Sequence, residues 1–310
     1  MKLYMAPLEG ITGYVFRSTY QSCFGNIDKY FVPFIKPNQN GHLSSRERQD
    51  ILPENNKGMY TVPQILTNSP EDFLRTVNKL QQSGYKEVTL NLGCPSRTVV
   101  TKGRGAGFLA EPEKLESFLD YIFDKTDVEI SIKTRLGMEK AEEFERILAI
   151  YNRYPLKELI IHPRVQKDFY KNHPNREAYR DASGQSKNPV CYNGDIFSIQ
   201  DYRTFMEQFP ETKMIMLGRG LLMNPGLAGE IRCQEPMDKK TLREFHDRLY
   251  AGYCEALSGE KTILFKMKEL WSYLAPAFSD YQKYAKRIKK AERLIRYEEA
   301  VDELFAEQDV

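Results

Sequence analysis

The chain has 310 residues, enough for one large domain with an ample apolar core and a smaller second one. Its 41% hydrophobic and 28% charged content is ordinary for a soluble globular protein, and a net charge of +2 means that any nucleic-acid-binding surface must be local. The five cysteines are scattered and contain no CxxC pair, which argues against a disulfide framework or a zinc site and for a reducing, cytoplasmic setting. Met1–Pro7 lacks the apolar core of a secretory leader, and no run approaches the roughly 18 apolar residues of a membrane span.

Short apolar or β-branched runs recur through the first 230 residues: Leu3–Pro7, Tyr30–Phe34, Thr61–Leu66, Glu87–Gly93, Glu129–Arg135, Glu158–Arg164, Pro189–Asp195 and Lys213–Arg219, eight in all. Most are followed by an amphipathic helical pattern. In Pro70–Gly84, Phe73, Val77 and Leu80 recur at helical spacing between a starting proline and a stopping glycine. Glu111–Lys125 and Glu142–Tyr154 repeat the pattern. Eight alternating units predict an α/β fold, a closed (β/α)8 TIM barrel, rather than an open dinucleotide-binding sheet, because no GxGxxG opens the first unit.

Two places break the rhythm. Val165–Asn188 is polar and rich in basic and aromatic residues, and reads as a long loop that is either simply solvated or functional. After Arg232 the pattern stops, Gln234–Asp238 reads as a linker, and everything from Lys239 reads as helical. The boundaries drawn are residues 1–235 for the barrel and 238–310 for a helical C-terminal domain. Residues 261–296 carry ten Lys/Arg against three acids, a local +7, whereas 297–310 carry six acids and no base. Helical spacing puts Tyr284, Ile288, Ala291 and Ile295 on one face and Lys283, Lys286, Arg287, Lys290 and Arg293 on the other. Such a face is either a solvated surface or a track for a phosphate backbone.

Polar residues gather at the ends of the predicted strands, which in a barrel converge on one mouth. Cys94 stands between Gly93 and Pro95, where the run Val88–Leu92 breaks into a loop; a thiol in that position is a candidate catalytic group. Lys133, in the middle of an apolar strand, is costly to bury unless it meets an anion or an electron-rich partner. Asn193-Gly194-Asp195 and Gly218-Arg219-Gly220 each lead into a helix start and suit a phosphate, gripped by backbone N–H groups and Arg219. The residues alone give a phosphate-ligand barrel with a cysteine; no metal site is expected.

In order and spacing, Ala6-Pro7-Leu8-Glu9-Gly10, Gln64, Asn91-Leu92-Gly93-Cys94-Pro95-Ser96, Lys133-Thr134-Arg135-Leu136-Gly137, His162, Asn193-Gly194-Asp195 and Gly218-Arg219-Gly220 resemble the tRNA-dihydrouridine synthases. The resemblance implies a flavin-dependent oxidoreductase that binds FMN, uses NADPH, and reduces uridine to 5,6-dihydrouridine in the D-loop of tRNA. It implies Cys94 as the acid that protonates C5 of the uracil after hydride reaches C6. Pro7, Leu8, Glu9, Gln64, Lys133, His162, Asn193, Gly194, Asp195, Gly218 and Arg219 would hold the cofactor, with Lys133 and His162 at the polar edge of its ring, where a positive charge would stabilise the reduced, anionic form. Asn91, Arg135 and the basic C-terminal face would contact the RNA, and no obligate protein partner is evident, so a monomer fits. At the sixth strand the family usually reads His-Gly-Arg-Thr; here His162-Pro163-Arg164-Val165 gives a stiffer loop entry without a hydroxyl. The rival reading is an FMN barrel reductase acting on a free pyrimidine, like the dihydroorotate dehydrogenases, for which the basic tail would have no use.

Overall fold

The computed structural model describes residues 1–37 and 42–310. Its strands are β1 (Lys2–Met5), β2 (Lys29–Phe31), β3 (Thr61–Val62), β4 (Gln64–Ile65), β5 (Glu87–Leu92), β6 (Glu129–Thr134), β7 (Leu159–Ile161), β8 (Val190–Tyr192) and β9 (Met214–Leu217). All pair in parallel, in the order β3-β2-β1-β9-β8-β7-β6-β5-β4. The two ends of that order are joined by Pro63 alone, so the sheet closes into the expected barrel. The third predicted strand is interrupted because Pro63 has no N–H for the ladder, although its carbonyl still accepts from the Thr89 amide at 2.9 Å. Parallel strands covered by helices are apolar on both faces, which is why these runs read as continuous rather than alternating.

Two expectations need correction. Val165–Asn188 is not a loop throughout: it holds the helix Arg176–Gln185, capped by the Asn175 side chain, which accepts from the Ala178 amide at 3.0 Å. Only Tyr179 and Ala182 of that helix are buried, a stripe too narrow to stand out of a polar segment. The basic C-terminal stretch is not one helix either. Gln282–Lys290 ends at Ala291, Arg293 is extended, and Leu294–Glu307 starts a new helix. Tyr284, Ile288 and Ala291 bury as expected, but Ile295 is 58% exposed because the break rotates it away. The two helices fold back on one another, and the first is tied to the acidic end of the second through Arg287–Glu303 and Tyr284–Glu307.

The helices Lys239–Ala256 and Glu260–Leu274 complete the C-terminal region, and the loop before them spans 234–238. Phe245 packs edge-on against Phe16 and Tyr20 of the first barrel helix, Tyr14–Cys23, and against Phe24 just past its end, and so fixes the helical region to the barrel.

The end of the barrel opposite the mouth is closed by charge. Lys29 Nζ lies 2.9 Å from both Glu87 Oε2 and Glu158 Oε1, and all three side chains are buried. Tyr4, Tyr60 and Ser131 hydroxyls donate to the same carboxylates at 2.6–2.9 Å. Removing the cation would leave two buried carboxylates facing each other, a loss of about 3–5 kcal/mol for a broken buried pair. Lys29→Met is expected to lower the urea unfolding midpoint accordingly, without a change in m-value. A stability within about 0.5 kcal/mol of the parent, as for a surface substitution, would show that the network contributes nothing.

Candidate active site

The Cys94 loop is shaped by its own strand. Asn91 Oδ1 accepts from the amides of Gly93 at 3.1 Å and Cys94 at 2.9 Å, folding the chain sharply as it leaves β5. Gly105, at φ +56°, passes so close that an added Cβ would sit 2.9 Å from the Cys94 carbonyl oxygen, so the glycine-rich turn braces the thiol from behind. The Cys94 side chain packs against Phe34, Leu66 and Val99. Burial pushes its pKa up, outweighing a backbone hydrogen bond from Ser96 that pulls it down, so the group is a thiol at neutral pH.

Asn91 pairs in register with Lys133 on β6, and its Nδ2 donates to Gln64 Oε1 at 2.7 Å. Gln64 is fully buried, yet its Nε2 has no partner. An orphaned buried donor costs about 1–3 kcal/mol, so it marks a place prepared for an acceptor. Burial, then repulsion from Arg135, pushes Lys133 down to about 8. His162 is held well below its ordinary value by burial and by Arg135, Lys133 and Arg164. Arg164 Nη1 lies 2.9 Å from His162 Nε2; since a guanidinium only donates, Nε2 accepts and the imidazole is neutral with its proton on Nδ1. Of the two residues expected at the polar edge of the ring, Lys133 is therefore the one that can carry positive charge at neutral pH.

One cavity, open to solvent, collects Pro7, Leu8, Lys133, His162, Asn193, Gly194, Asp195, Gly218 and Arg219 at the strand ends. Gly220 faces the Ile196 carbonyl so closely that an added Cβ would lie 2.2 Å from its oxygen, and Gly218 leads directly into the helix Arg219–Met223. Gly218 and Gly220 line the cavity where that helix begins, a setting that would suit a phosphate. Gln64, Asn91 and Cys94 lie outside this lining and reach it through the Asn91–Lys133 register pair.

Four predicted contacts have other jobs. Arg135, expected to touch substrate, is 1% exposed and donates to the carbonyls of Gly93 at 2.9 Å, Val165 at 2.9 Å and Phe169 at 2.6 Å. It staples the Cys94 loop to the 165–169 turn. The Asn91 carbonyl, expected at the uracil edge, is engaged by two amides. The Asp195 carboxylate would repel a phosphate; it instead takes a two-pronged pair from Arg164, at 3.0 and 2.5 Å, and a bond from Arg219 at 2.7 Å, aligning both guanidiniums. Glu9 does not line the cavity but pairs with Arg46 at 2.7 Å on the rim. Tyr170, from the basic and aromatic 165–188 segment, and Phe197, not singled out in the sequence, also line it, and the Arg219 guanidinium lies 4.8 and 5.1 Å from their ring centres. Their only signal is that aromatic residues sit among bases and glycines in strand-end loops.

A barrel that sets strand-end glycines and an arginine, a half-buried lysine and a protonated thiol at the ends of its strands belongs to the (β/α)8 enzymes. More particularly, the chain is a member of the dihydrouridine synthase (Dus) family, whose family model matches residues 4–309. It is 28% identical over 250 residues to the tRNA-dihydrouridine(16) synthase of Aquipseudomonas alcaligenes, covering 77% of this chain and 78% of that one. It is 27% identical over 264 residues to a probable tRNA-dihydrouridine synthase of Staphylococcus aureus, covering 80% and 77%. Among solved structures, morphinone reductase in complex with tetrahydroNAD superposes with a TM-score of 0.53 at 12% identity, over 77% of this chain and 89% of that one, which shows a shared fold.

Proposed function

We propose that this protein reduces uridine to 5,6-dihydrouridine in the D-loop of tRNA, with FMN bound at the mouth, NADPH as the reductant and Cys94 as the proton donor. The observation that carries the reading is the orphaned Nε2 of Gln64, a fully buried side chain whose Oε1 accepts from Asn91 and whose Nε2 meets no protein acceptor. Backbone N–H groups around Gly194, Gly218 and Gly220, with Arg219, would hold a phosphate, and Lys133, His162 and Gln64 would bond the polar edge of a flavin ring. When bound, FMN supplies the hydride that reduces C6 of the uracil. The Cys94 thiol then donates its proton to C5, and solvent returns a proton to the sulfur. Lys133 and Nδ1–H of His162 present one positive and one neutral donor; placing a cation beside the ring favours its anionic form. The target base is stacked inside folded tRNA and must be extruded to reach Cys94. The barrel of residues 1–235 would hold flavin, and the helical region of 238–310 would hold RNA. Among the described residues no helix is long and apolar enough to cross a membrane, and a cytoplasmic monomer fits the reading.

The test is NADPH oxidation by the FMN-loaded protein with unmodified tRNA, followed by mapping of dihydrouridine in the product. Consumption should require both FMN and tRNA; equal turnover of free uracil or orotate would transfer the chain to the free-pyrimidine reading. Lys133→Met or Arg219→Ala should weaken FMN binding roughly tenfold to a hundredfold, the range of one charged hydrogen bond. The ammonium of Lys133 is present below about 8 and lost above it. FMN affinity of the parent should therefore be flat below that pH and fall above it. The Lys133→Met variant should show no such step; a step of equal size there would assign it to another group.

A further inference from the structure

Every backbone polar group of Gly93-Cys94-Pro95 has a partner. The Gly93 and Cys94 amides donate to Asn91 Oδ1, and Pro95 has no N–H to place. The three successive carbonyls are met by donors from three different segments. Arg135 Nε donates to the Gly93 oxygen at 2.9 Å, the Ala106 amide to the Cys94 oxygen at 3.0 Å, and Gln166 Nε2 to the Pro95 oxygen at 2.9 Å. The thiol loop leaves β5, Arg135 stands at the end of β6, and Gln166 lies in the loop after β7. Three neighbouring strand ends are thus tied into one unit around the sulfur.

Gln166 is the holder whose side chain serves nothing else. Arg135 also bonds the Val165 and Phe169 carbonyls, and Ala106 belongs to the glycine-rich turn that braces the loop from behind. The Gln166 side chain is partly exposed, and among the described residues its bond to Pro95 is the only one it makes. A carbonyl oxygen can only accept, so this bond fixes which end of the amide faces Pro95. The base from which it reaches is rigid. The Gln166 amide donates to the Gly137 carbonyl at 2.8 Å, and the Val165 amide donates to the Asp168 carboxylate at 3.1 Å. A single partly exposed hydrogen bond contributes little to folding. Displacing a reacting group by about 1 Å, in contrast, can cost about a hundredfold in rate. We infer that Gln166 is a positioning residue for the proton donor: by holding the Pro95 carbonyl it fixes where the chain leaves Cys94, and so keeps the thiol within reach of C5 of the uracil. The inference rests on the function proposed above.

The experiment isolates the step that uses the thiol. FMN-loaded protein is reduced anaerobically with NADPH and mixed with unmodified tRNA, and the return of oxidised-flavin absorbance is followed. The proteins compared are the parent, Gln166→Ala, Gln166→Glu, Cys94→Ala, and the double variant Gln166→Ala with Cys94→Ala. Gln166 lies outside the lining of the cofactor cavity, so FMN content, reduction by NADPH and tRNA affinity should match the parent. Flavin reoxidation by tRNA should slow by about tenfold to a hundredfold. Gln166→Glu keeps the size of the side chain but presents an acceptor to an acceptor, so it should be as slow as Gln166→Ala. It also stands in should alanine loosen the turn, which melting temperature would reveal. Without Cys94 the glutamine has no donor to place, so the double variant should be no slower than Cys94→Ala. Parent-like reoxidation in Gln166→Glu, or a further loss in the double variant, would overturn the role of Gln166 and leave the function standing. A loss confined to tRNA affinity would make Gln166 an RNA contact and overturn the inference as well. A parent whose reduced flavin is not reoxidised by tRNA would overturn the function, and the inference with it.

Discussion

Cys94→Ala is expected to keep its flavin and its reduction by NADPH while losing turnover of tRNA by about a hundredfold or more, the effect of removing a positioned acid. The split between the two half-reactions follows from the placement of the thiol. It lies outside the lining of the cavity that collects Lys133, His162 and Arg219, so cofactor binding does not depend on it. Its packing against Phe34, Leu66 and Val99 is shallow enough that alanine leaves the loop intact, since Asn91 and Gly105 hold that loop through the backbone. Cys94→Ser is the sharper control. A serine hydroxyl is a far weaker acid than a thiol, so the variant should resemble alanine in rate although it preserves shape. Because burial holds the thiol pKa above its ordinary value, activity of the parent at saturating FMN should persist through neutral pH and decline as alkaline solution ionises the sulfur. Turnover of tRNA by Cys94→Ala at the parent rate would reduce Cys94 to a packing residue and move the proton donor elsewhere.

The barrel is legible in the sequence because its signal is repetitive. Each βα unit gives a short apolar run and then a helical stripe, and polar residues at strand ends must converge wherever the sheet closes. The cofactor cavity follows from that convergence: Lys133, His162, Gly194, Gly218 and Arg219 come from four different strand ends and meet. What the sequence hides is the division of labour among neighbours at one end. Arg135 and Lys133 are two residues apart at the end of β6, yet Arg135 is sealed by three carbonyls of two other loops, and only the tertiary structure brings those carbonyls to it. Asp195 reads as a phosphate neighbour by position and is a partner of two arginines by contact. Tyr170 reaches the cavity because Phe169 before it adopts a positive φ of 50°, a conformation no composition rule assigns to phenylalanine. The break at Ala291 is hidden for a related reason: helical periodicity continues through the sequence from Tyr284 to Ile295, and the turn is imposed by two helices folding onto each other.

That hairpin sharpens the expectation for RNA binding. Lys283 and Arg287, counted with the basic face, are paired with Glu307 and Glu303 of the acidic end, so part of the local charge excess is compensated within the hairpin. Lys286 and Lys290 take part in no ion pair among the described residues; they border an open groove with Arg287, Arg293 and Arg296. Arg293 is paired with Glu260, but both are solvent-exposed, and an exposed pair of this kind is worth at most about 1 kcal/mol. A phosphate can displace it at little cost. Reversing Lys286, Lys290 and Arg293 to Glu should therefore lower tRNA affinity by about a hundredfold or more at low salt. The slope of log affinity against log salt should shrink by roughly 0.7–0.9 for each phosphate that the variant no longer neutralises, so parent and variant should converge at high salt. Lys283→Ala also removes a cation but should change the slope less, because Lys283 lies outside the groove. The comparison separates a phosphate track from a merely positive domain: a track depends on which cations are available, whereas a diffuse field depends only on their number. Equal loss per unit charge from both variants would favour the diffuse field. An unchanged slope in the triple variant would move the phosphate contacts away from this groove.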